Sequence, residues 1–290
     1  MKILLTAISL LIFCSPQSAI AQPGTEIYLF DLKLSKDKIT ISNPVNITNH
    51  PGYDSQPFFH PNKPILYYAS ADTSGRTDIL TYNYQTKESK RFTTTSEREY
   101  SPTVTPDKKF ISCIIQRDNG KQDLGKYPID GGDAITIINN LTVGYHAWIN
   151  DGLVAVFVLG EPQTLRLYNV SAGKDIWLAD SIGRSLHLIP KTKTFSYVDK
   201  SSDSKYLIKR VTSINEIDVL AETLPNREDL AWTNDGRIVM SDGEKLFYLD
   251  TKTDKTWKPI DVISGSPPLK GISRLAINST GDKIAIVINE

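Results

Sequence analysis

Residues 56–70 read QPFFHPNKPILYYAS. A short apolar strand runs into a His-Pro-Asn turn and a second apolar strand follows at once, which is the pattern of a β-hairpin. The same arrangement returns five times along the chain. It is found in SPTVTPDKKFISCII (101–115), HAWINDGLVAVFVL (146–159), LHLIPKTKTFSYVD (186–199), LAWTNDGRIVMSDG (230–243) and RLAINSTGDKIAIVIN (274–289). The hairpin is therefore the unit of a repeat.

The spacing of these units is nearly constant. Their turns are centred on Pro61, Pro106, Asn150, Pro190, Asn234 and Asn278, which lie 45, 44, 40, 44 and 44 residues apart. Strand–turn–strand segments such as DILTYNYQTKESKRFTT (78–94) lie between successive units, so each period holds four strands. This period is the signature of a β-propeller with one four-stranded blade per repeat. A β-sandwich, the alternative all-β fold, does not need such a repeat.

The last unit is incomplete, because residues 272–290 supply only two strands before the chain ends. The segment 26–48, EIYLFDLKLSKDKITISNPVNIT, reads as a hairpin that lacks a first half. Pairing the two ends removes an open sheet edge. We therefore predict an all-β, six-bladed β-propeller whose ring is closed by N-terminal strands 26–48 completing the last blade with 272–290. The expected blades span approximately 53–95, 99–141, 143–180, 183–221, 227–262, and 271–290 plus 25–49.

The first 21 residues, MKILLTAISLLIFCSPQSAIA, predict a secretory signal peptide. Lys2 precedes an apolar core, and Ala19-Ile20-Ala21 form an A-x-A cleavage site. We expect cleavage after Ala21, a single propeller domain over 22–290, and a protein that is exported to the periplasm or secreted. No later apolar run is long enough for a transmembrane helix.

Composition limits the classes of partner. Lys and Arg together number 33, as do Asp and Glu, so the chain carries no net charge that would attract nucleic acid. We therefore expect no nucleic-acid partner. After the signal the only cysteine is Cys113, in the apolar run KKFISCIIQ (108–116), which predicts a buried, inert thiol.

Several of these segments resemble TolB-type (WD40-like) propeller repeats. SPTVTPDKKFISCII and LAWTNDGRIV are similar to the W-S-P-D-G-(K/R)-x-(I/L)-A unit, and YPIDGGD (127–133) resembles the D-x-D-G-G turn. The resemblance covers nearly all of 25–290 and is weakest in LIPKTKTFSYVD (188–199). It implies a six-bladed propeller in an exported bacterial protein. TolB carries a further N-terminal α/β domain, whereas the propeller here begins almost directly after the signal, so a stand-alone propeller is expected.

No motif for covalent or metal chemistry is found in the sequence. Prolyl oligopeptidase-type enzymes use the same blades but need a G-x-S-x-G elbow, and the nearest string, GISRL (271–275), lacks the final Gly. The four histidines form no H-x-H or H-E-x-x-H motif. Strand alternation is expected to point His146 and His187 to opposite sides of their strands. We expect no catalytic residue, no metal site and no cofactor.

The polar residues at the start of each first strand form the candidate site. Equivalent positions of different blades converge on the propeller axis, so these residues are expected to ring one mouth of the central channel. A concave rim with convergent polar groups is the default place to expect a binding site. The candidate binding residues are Asp54, Gln56, Glu99, Tyr100, Tyr145, His146, Arg184, Arg227 and Asp229.

Two functions are compatible with such a rim. The first is a non-catalytic, monomeric binding or scaffold propeller that recognises an envelope or secreted protein, a peptide or an envelope glycan. The second is an enzyme, such as a lactonase-like hydrolase or a sugar lyase. In that enzyme, Asp54 with Glu99, or Glu228 with Asp229, would act as acid and base or hold a divalent cation. The positions that follow are mostly apolar or small, which favours the first function: Phe58, Thr103, Ala147, Ala231 and Leu275.

Overall fold

The computed structural model describes residues 24–263 and 267–290, and within these residues it contains β-strands but no helix. The strands form six sheets that are arranged as the blades of a propeller, as the repeat predicted. The signal peptide predicted for residues 1–21 lies outside the described residues. In the described part of the chain, nothing folds into a helix with the length and hydropathy needed to traverse a lipid bilayer.

The chain opens with one hairpin and then forms three complete blades, each of four antiparallel strands. The opening hairpin consists of β1 (Thr25–Ser35) and β2 (Lys38–Asn46). Blade 1 consists of β3 (Asp54–Phe59), β4 (Ile65–Ala71), β5 (Thr77–Asn83) and β6 (Glu88–Arg91). Blade 2 consists of β7 (Arg98–Val104), β8 (Phe110–Gln116), β9 (Gln122–Pro128) and β10 (Ile135–Ile138). Blade 3 consists of β11 (Val143–Asn150), β12 (Leu153–Val158), β13 (Thr164–Asn169) and β14 (Lys174–Asp180).

Two further blades follow before the chain returns to its start. Blade 4 consists of β15 (His187–Leu188), β16 (Phe195–Ser202), β17 (Lys205–Ser213) and β18 (Glu216–Glu222). Blade 5 consists of β19 (Leu230–Trp232), β20 (Ile238–Ser241), β21 (Leu246–Leu249) and β22 (Lys258–Pro259). The last strands are β23 (Asp261–Val262), β24 (Arg274–Ile277) and β25 (Lys283–Asn289).

Blade 6 closes the ring as expected. Its strand order is β23-β2-β1-β25-β24, and β1 is antiparallel to β25, with Phe30 opposite Ile284. One detail differs from the expected boundaries. Blade 5 ends at Pro259, and β23 pairs in parallel with β2 instead, with Asp261 opposite Thr40. This added strand covers the outer edge of blade 6, which would otherwise offer free hydrogen-bonding groups.

The core lies between the blades. The buried apolar side chains of the described residues form six clusters, each shared by two neighbouring blades. Blades 1 and 2 meet around Tyr67, Ile111 and Cys113, for example. Cys113 is fully buried as predicted, and burial raises the pKa of its thiol well above the ordinary value. Every blade is therefore stabilised from both sides, and the fold depends on a closed ring.

Two tryptophans of the repeat make the same contact between blades. Trp148 Nε1 donates a hydrogen bond to Ser112 Oγ of the preceding blade at 2.8 Å, and Trp232 Nε1 donates to Ser196 Oγ at 2.9 Å. These indoles stand two positions before their turns in the sequence. Because an indole N–H buried without an acceptor is costly, each Trp requires a serine on the neighbouring sheet. The same hydrogen bond thus joins blade 2 to blade 3 and blade 4 to blade 5.

Candidate functional site

Six residues at equivalent positions of the six blades surround one mouth of the channel. We call them the mouth ring: Gln56, Ser101, Tyr145, Arg184, Asp229 and Arg274. They lie 45, 44, 39, 45 and 45 residues apart, and all six line one cavity of about 120 Å³. The repeat therefore delivers one side chain per blade to a common point.

Irregular backbone geometry orients the side chains of two mouth-ring residues. Gln56 and Ser101 have φ angles of 57° and 53°, and each precedes a proline. The strand register shifts beside both residues, which marks β-bulges in β3 and β7. Ser101 N donates to Gln56 Oε1 at 2.8 Å, so the two bulges are joined across the blade boundary. Bulges with left-handed non-glycine residues turn side chains out of regular alternation and are concentrated at functional sites.

Charged residues occupy the opposite side of the ring. Arg184 binds Asp229 through two bonds, Nε to Oδ1 at 3.2 Å and Nη2 to Oδ2 at 2.7 Å. Arg274 Nη1 donates to the same Oδ1 at 2.9 Å, and its Nη2 donates to Tyr145 OH at 3.1 Å. One carboxylate is thus shared by two guanidinium groups. The ring itself has one more positive than negative charge.

The charge of Arg184 is secured by its neighbours. Burial opposes charging of this guanidinium, but its hydrogen bonds to Asp229 and the field of Asp229 and Glu228 hold its pKa above the ordinary value. Glu228 Oε2 also accepts from Arg184 N at 3.2 Å and lies 3.4 Å from Lys200 Nζ. Arg184 therefore stays cationic at every physiological pH.

The structure places five of the predicted residues together at the mouth: Gln56, Tyr145, His146, Arg184 and Asp229. Tyr100 lines an adjoining cavity that also contacts Gln56 and Tyr145. Arg227 lines another, beside Arg184 and Asp229, and donates to the carbonyl oxygen of Asp242. Both residues therefore lie next to the ring but outside it.

The predicted rim positions of Asp54 and Glu99 require correction, because both side chains are fully buried. Asp54 Oδ2 lies 3.1 Å from His50 Nε2, and burial raises the pKa of Asp54 to about 6. Glu99 Oε1 accepts from Tyr127 OH at 2.9 Å, and burial likewise raises its pKa. These carboxyls precede the bulges and point into the sheet packing, so they do not form an acid–base pair at the mouth.

His146 lies deeper in the channel, where its neighbours define its tautomer. Ser112 Oγ accepts from Trp148 Nε1 and donates its single hydrogen to Thr103 O at 3.1 Å. The 2.7 Å contact between Ser112 Oγ and His146 Nε2 must then be donated by the imidazole. His146 Nδ1 consequently keeps a lone pair, and this buried atom has no hydrogen-bond partner among the described residues. Burial lowers the pKa of His146 to about 3, so its imidazole is neutral.

His187 contributes a second neutral imidazole to the same channel. Its Nε2 lies 2.8 Å from Ser185 Oγ, and burial lowers its pKa to about 4. Both histidines line the same cavities, contrary to the expectation that alternation would separate them. Alternation fails because β11 carries two register shifts and β15 is only two residues long. Within 24–263 and 267–290, however, no group of three His, Cys, Asp or Glu side chains is arranged to hold a metal ion.

Ser101 and Arg274 are the mouth-ring residues that the sequence-based list of candidates missed, and Arg274 also lies at an unexpected distance from its turn. In the other blades the ring residue stands five or six positions before the turn, but Arg274 stands only four before Asn278. Counting seven to five positions back from Asn278, the range that holds the ring residue in the other blades, selects Gly271, Ile272 and Ser273 and stops one residue short of Arg274. Arg274 lies 45 residues after Asp229, so the blade-to-blade period predicts its place in the ring where the distance from the turn does not.

Proteins of known structure share this fold. No protein-family profile matches the chain, and no curated protein matches its sequence. A solved structure assigned as TolB from Agrobacterium tumefaciens is similar, with a TM-score of 0.71 and 12% identity over 93% of this chain and 99% of that chain. TolB from Acinetobacter baumannii is similar with a TM-score of 0.61 and 13% identity, over 92% of this chain and 65% of that chain.

An enzyme is also similar to this chain. Oligogalacturonate lyase in complex with manganese gives a TM-score of 0.58 and 15% identity, over 87% of this chain and 83% of that chain. Likeness at such low identity establishes the fold and nothing more. The chain is a six-bladed β-propeller whose structural neighbours include TolB-type propellers. Function must be argued from the site.

Proposed function

We propose that this protein is a non-catalytic, exported binding propeller that recognises a protein, peptide or envelope glycan at the mouth ring. The observation that carries this proposal is the shared use of Asp229 by Arg184 and Arg274. Each guanidinium has five N–H donors, and the hydrogen bonds that Arg184 and Arg274 make among the described residues use only part of them, even though Glu228 also lies 3.7 Å from Arg184 Nε. The ring is therefore suited to a partner that presents a carboxylate of its own.

The position of the ring supports binding by several weak contacts. The partly buried arginines, the Tyr145 hydroxyl and the Gln56 amide all face one concave cavity. Arginine and tyrosine are the side chains that most often dominate binding energy at interfaces. We propose a periplasmic or secreted location and a monomeric state, which the predicted signal peptide and the closed ring support.

Removal of both ring arginines is expected to abolish capture of the partner. The tagged chain from residue 22 is used as bait in envelope extract, beside the Arg184→Ala/Arg274→Ala double variant. Because charged contacts at a desolvated centre are each worth about 2 kcal/mol or more, retention should fall by roughly tenfold or more. Quantitative mass spectrometry of the captured proteins and glycans gives the measurement.

The matched control is Arg227→Ala, which removes a nearby arginine that lies outside the ring. It should retain the partner at close to the wild-type level, and all variants should melt as single cooperative transitions. If the double variant captures the same partner as well as the wild-type chain does, binding occurs on another surface. Rising salt should weaken capture by the wild-type chain, because the contact is electrostatic.

A lyase that acts on acidic sugars is the second candidate, and the likeness to oligogalacturonate lyase favours it. The two ring arginines would neutralise a sugar carboxylate beside the proton that is removed. The test is incubation of the protein with oligogalacturonate and manganese, with ultraviolet detection of an unsaturated product, together with elemental analysis of the purified chain. Product formation that depends on Arg184 and Arg274 would replace the binding proposal.

A further inference from the structure

The channel has a second chamber at the end opposite the mouth ring. We call it the turn-face chamber, since it opens beside the turns at Pro61 and Pro106. Its volume is about 460 Å³, within the range of small-molecule sites in proteins. Phe58, Trp148 and Leu186 are among its apolar lining residues. None of the six mouth-ring residues lines it, although residues between the two ends, His146 and His187 among them, line both cavities. The chamber is therefore the opposite end of the same channel.

The inner end of this chamber is uncharged. His146 and His187 lie there, and each is held by one serine, at 2.7 Å from Ser112 Oγ and 2.8 Å from Ser185 Oγ. Burial keeps both imidazoles neutral. Flat side chains therefore surround the space: two imidazoles, an indole, a phenyl ring and two prolines. Such walls are suited to a planar ring, which can stack on them.

One charged residue stands at the open end. Lys108 is exposed and lines the chamber, and its Nζ lies 2.8 Å from the neutral side-chain amide of Asn62. No Asp or Glu lines the chamber, and the hydrogen-bond partner of Lys108 is an uncharged amide. The chamber thus joins an apolar interior to one available cation at its rim, while Leu188, which is 41% exposed, borders the same opening.

We infer that the turn-face chamber binds a small aromatic carboxylate. The ring enters among Phe58, Trp148 and Leu186, and the carboxylate stays at the rim beside the Lys108 ammonium. Burial of the ligand's aromatic ring provides most of the affinity, and the positive charge of Lys108 favours a negatively charged ligand. This inference does not depend on the function proposed for the mouth ring.

Three probes with the same ring and different charges test this inference: 2-naphthoate, 2-naphthalenemethanol and 2-naphthylmethylammonium. Each is titrated into the full mature chain, and binding is followed by equilibrium dialysis and by quenching of tryptophan fluorescence. An exposed ion pair is worth about 0.2–1 kcal/mol, so naphthoate should bind about 1.4-fold to fivefold more tightly than the alcohol. The ammonium probe should bind most weakly. Equal binding of the three probes, or no saturable binding, would overturn the inference.

Matched variants locate the site. Lys108→Gln should reduce naphthoate binding to the level of the alcohol, whereas Lys109→Gln, in the same exposed turn, should not change it. Leu188→Trp should obstruct the opening and weaken all probes by about tenfold or more, whereas Val219→Trp on an outer strand should not. Both leucine and valine are partly exposed, so the substitutions do not disturb the core.

The mouth-ring variant separates this site from the one proposed above. Arg184→Ala/Arg274→Ala should bind naphthoate as the wild-type chain does. If that variant loses naphthoate binding while Lys108→Gln keeps it, the aromatic acid occupies the mouth ring and the chamber assignment is wrong.

Discussion

A chain that lacks residues 22–49 is expected to lose its cooperative unfolding transition. The deletion removes β1 and β2, and β1 lies between β2 and β25 in blade 6. Ile27 and Phe30 are fully buried and belong to different clusters, one facing blade 1 and the other facing blade 5. The deletion therefore breaks two of the blade interfaces and exposes β25 as a bare edge, which favours aggregation. Thermal melting by circular dichroism, with size-exclusion chromatography, measures the effect.

Single substitutions provide a graded control for the deletion. Phe30→Ala should destabilise the whole domain by about 3–5 kcal/mol, because it creates a cavity at a blade interface. Val45→Ala in the neighbouring strand β2 should change stability little, since Val45 is 42% exposed. A truncated chain that melts cooperatively at the wild-type temperature would refute the closure of the ring by these strands.

Asp54→Asn is expected to stabilise the protein at pH 7.5 and to have little effect at pH 4. Burial raises the pKa of Asp54 to about 6, and the opposing effects of Ser70 and His50 only partly offset it. In the unfolded chain the pKa of this carboxyl is about 3.9. Between this pKa and the higher pKa of the folded state, the folded chain therefore binds more protons than the unfolded chain. The stability contributed by the protonated carboxyl is fully present below about pH 4 and is lost as the pH rises through 6. The variant keeps a neutral group at every pH.

The expected gain at pH 7.5 is roughly 3 kcal/mol, because each unit of the pKa shift of a fully buried group is worth about 1.4 kcal/mol. Urea denaturation of both chains at pH 4, 5, 6, 7 and 7.5 gives the difference in unfolding free energy directly. Asp130→Asn, at an exposed position, is the control and should show no such trend. A difference between Asp54→Asn and the wild-type chain that is independent of pH would contradict the raised pKa.

Much of the architecture was predictable from local patterns. Apolar alternation and turn residues act over a few positions, so the hairpin around Pro61 and its five repeats could be recognised without a structure. The indoles of Trp148 and Trp232 marked the same position in two blades, and both contact a serine of the preceding sheet. The closure of the ring was predictable from the number of strands in each repeat. The last repeat, 272–290, has only two strands, and the hairpin of 26–48 supplies the missing two.

The candidate site was predictable only to within one or two residues. Asp54 and Gln56 are two positions apart, so regular alternation would place both on one face of the strand. The bulge at Gln56 breaks that rule, and Asp54 turns into the packing while Gln56 faces the channel. The same change of direction separates Glu99 from Ser101 in blade 2. Such a backbone irregularity has no signal in the order of polar and apolar residues.

Residue order alone thus specifies the repeat, the number of blades and the closing strands, because hairpins are stabilised by neighbours in sequence. It places the polar residues of the mouth only approximately, and not in every blade. Only the folded ring shows that Arg184 and Arg274, from two different blades, share the carboxylate of Asp229 from a third. It was also needed to learn that apolar walls and Lys108 enclose a second chamber at the opposite face. These groups are brought together by the closure of the propeller and the register shifts of its inner strands, which depend on packing between residues that are far apart in the chain.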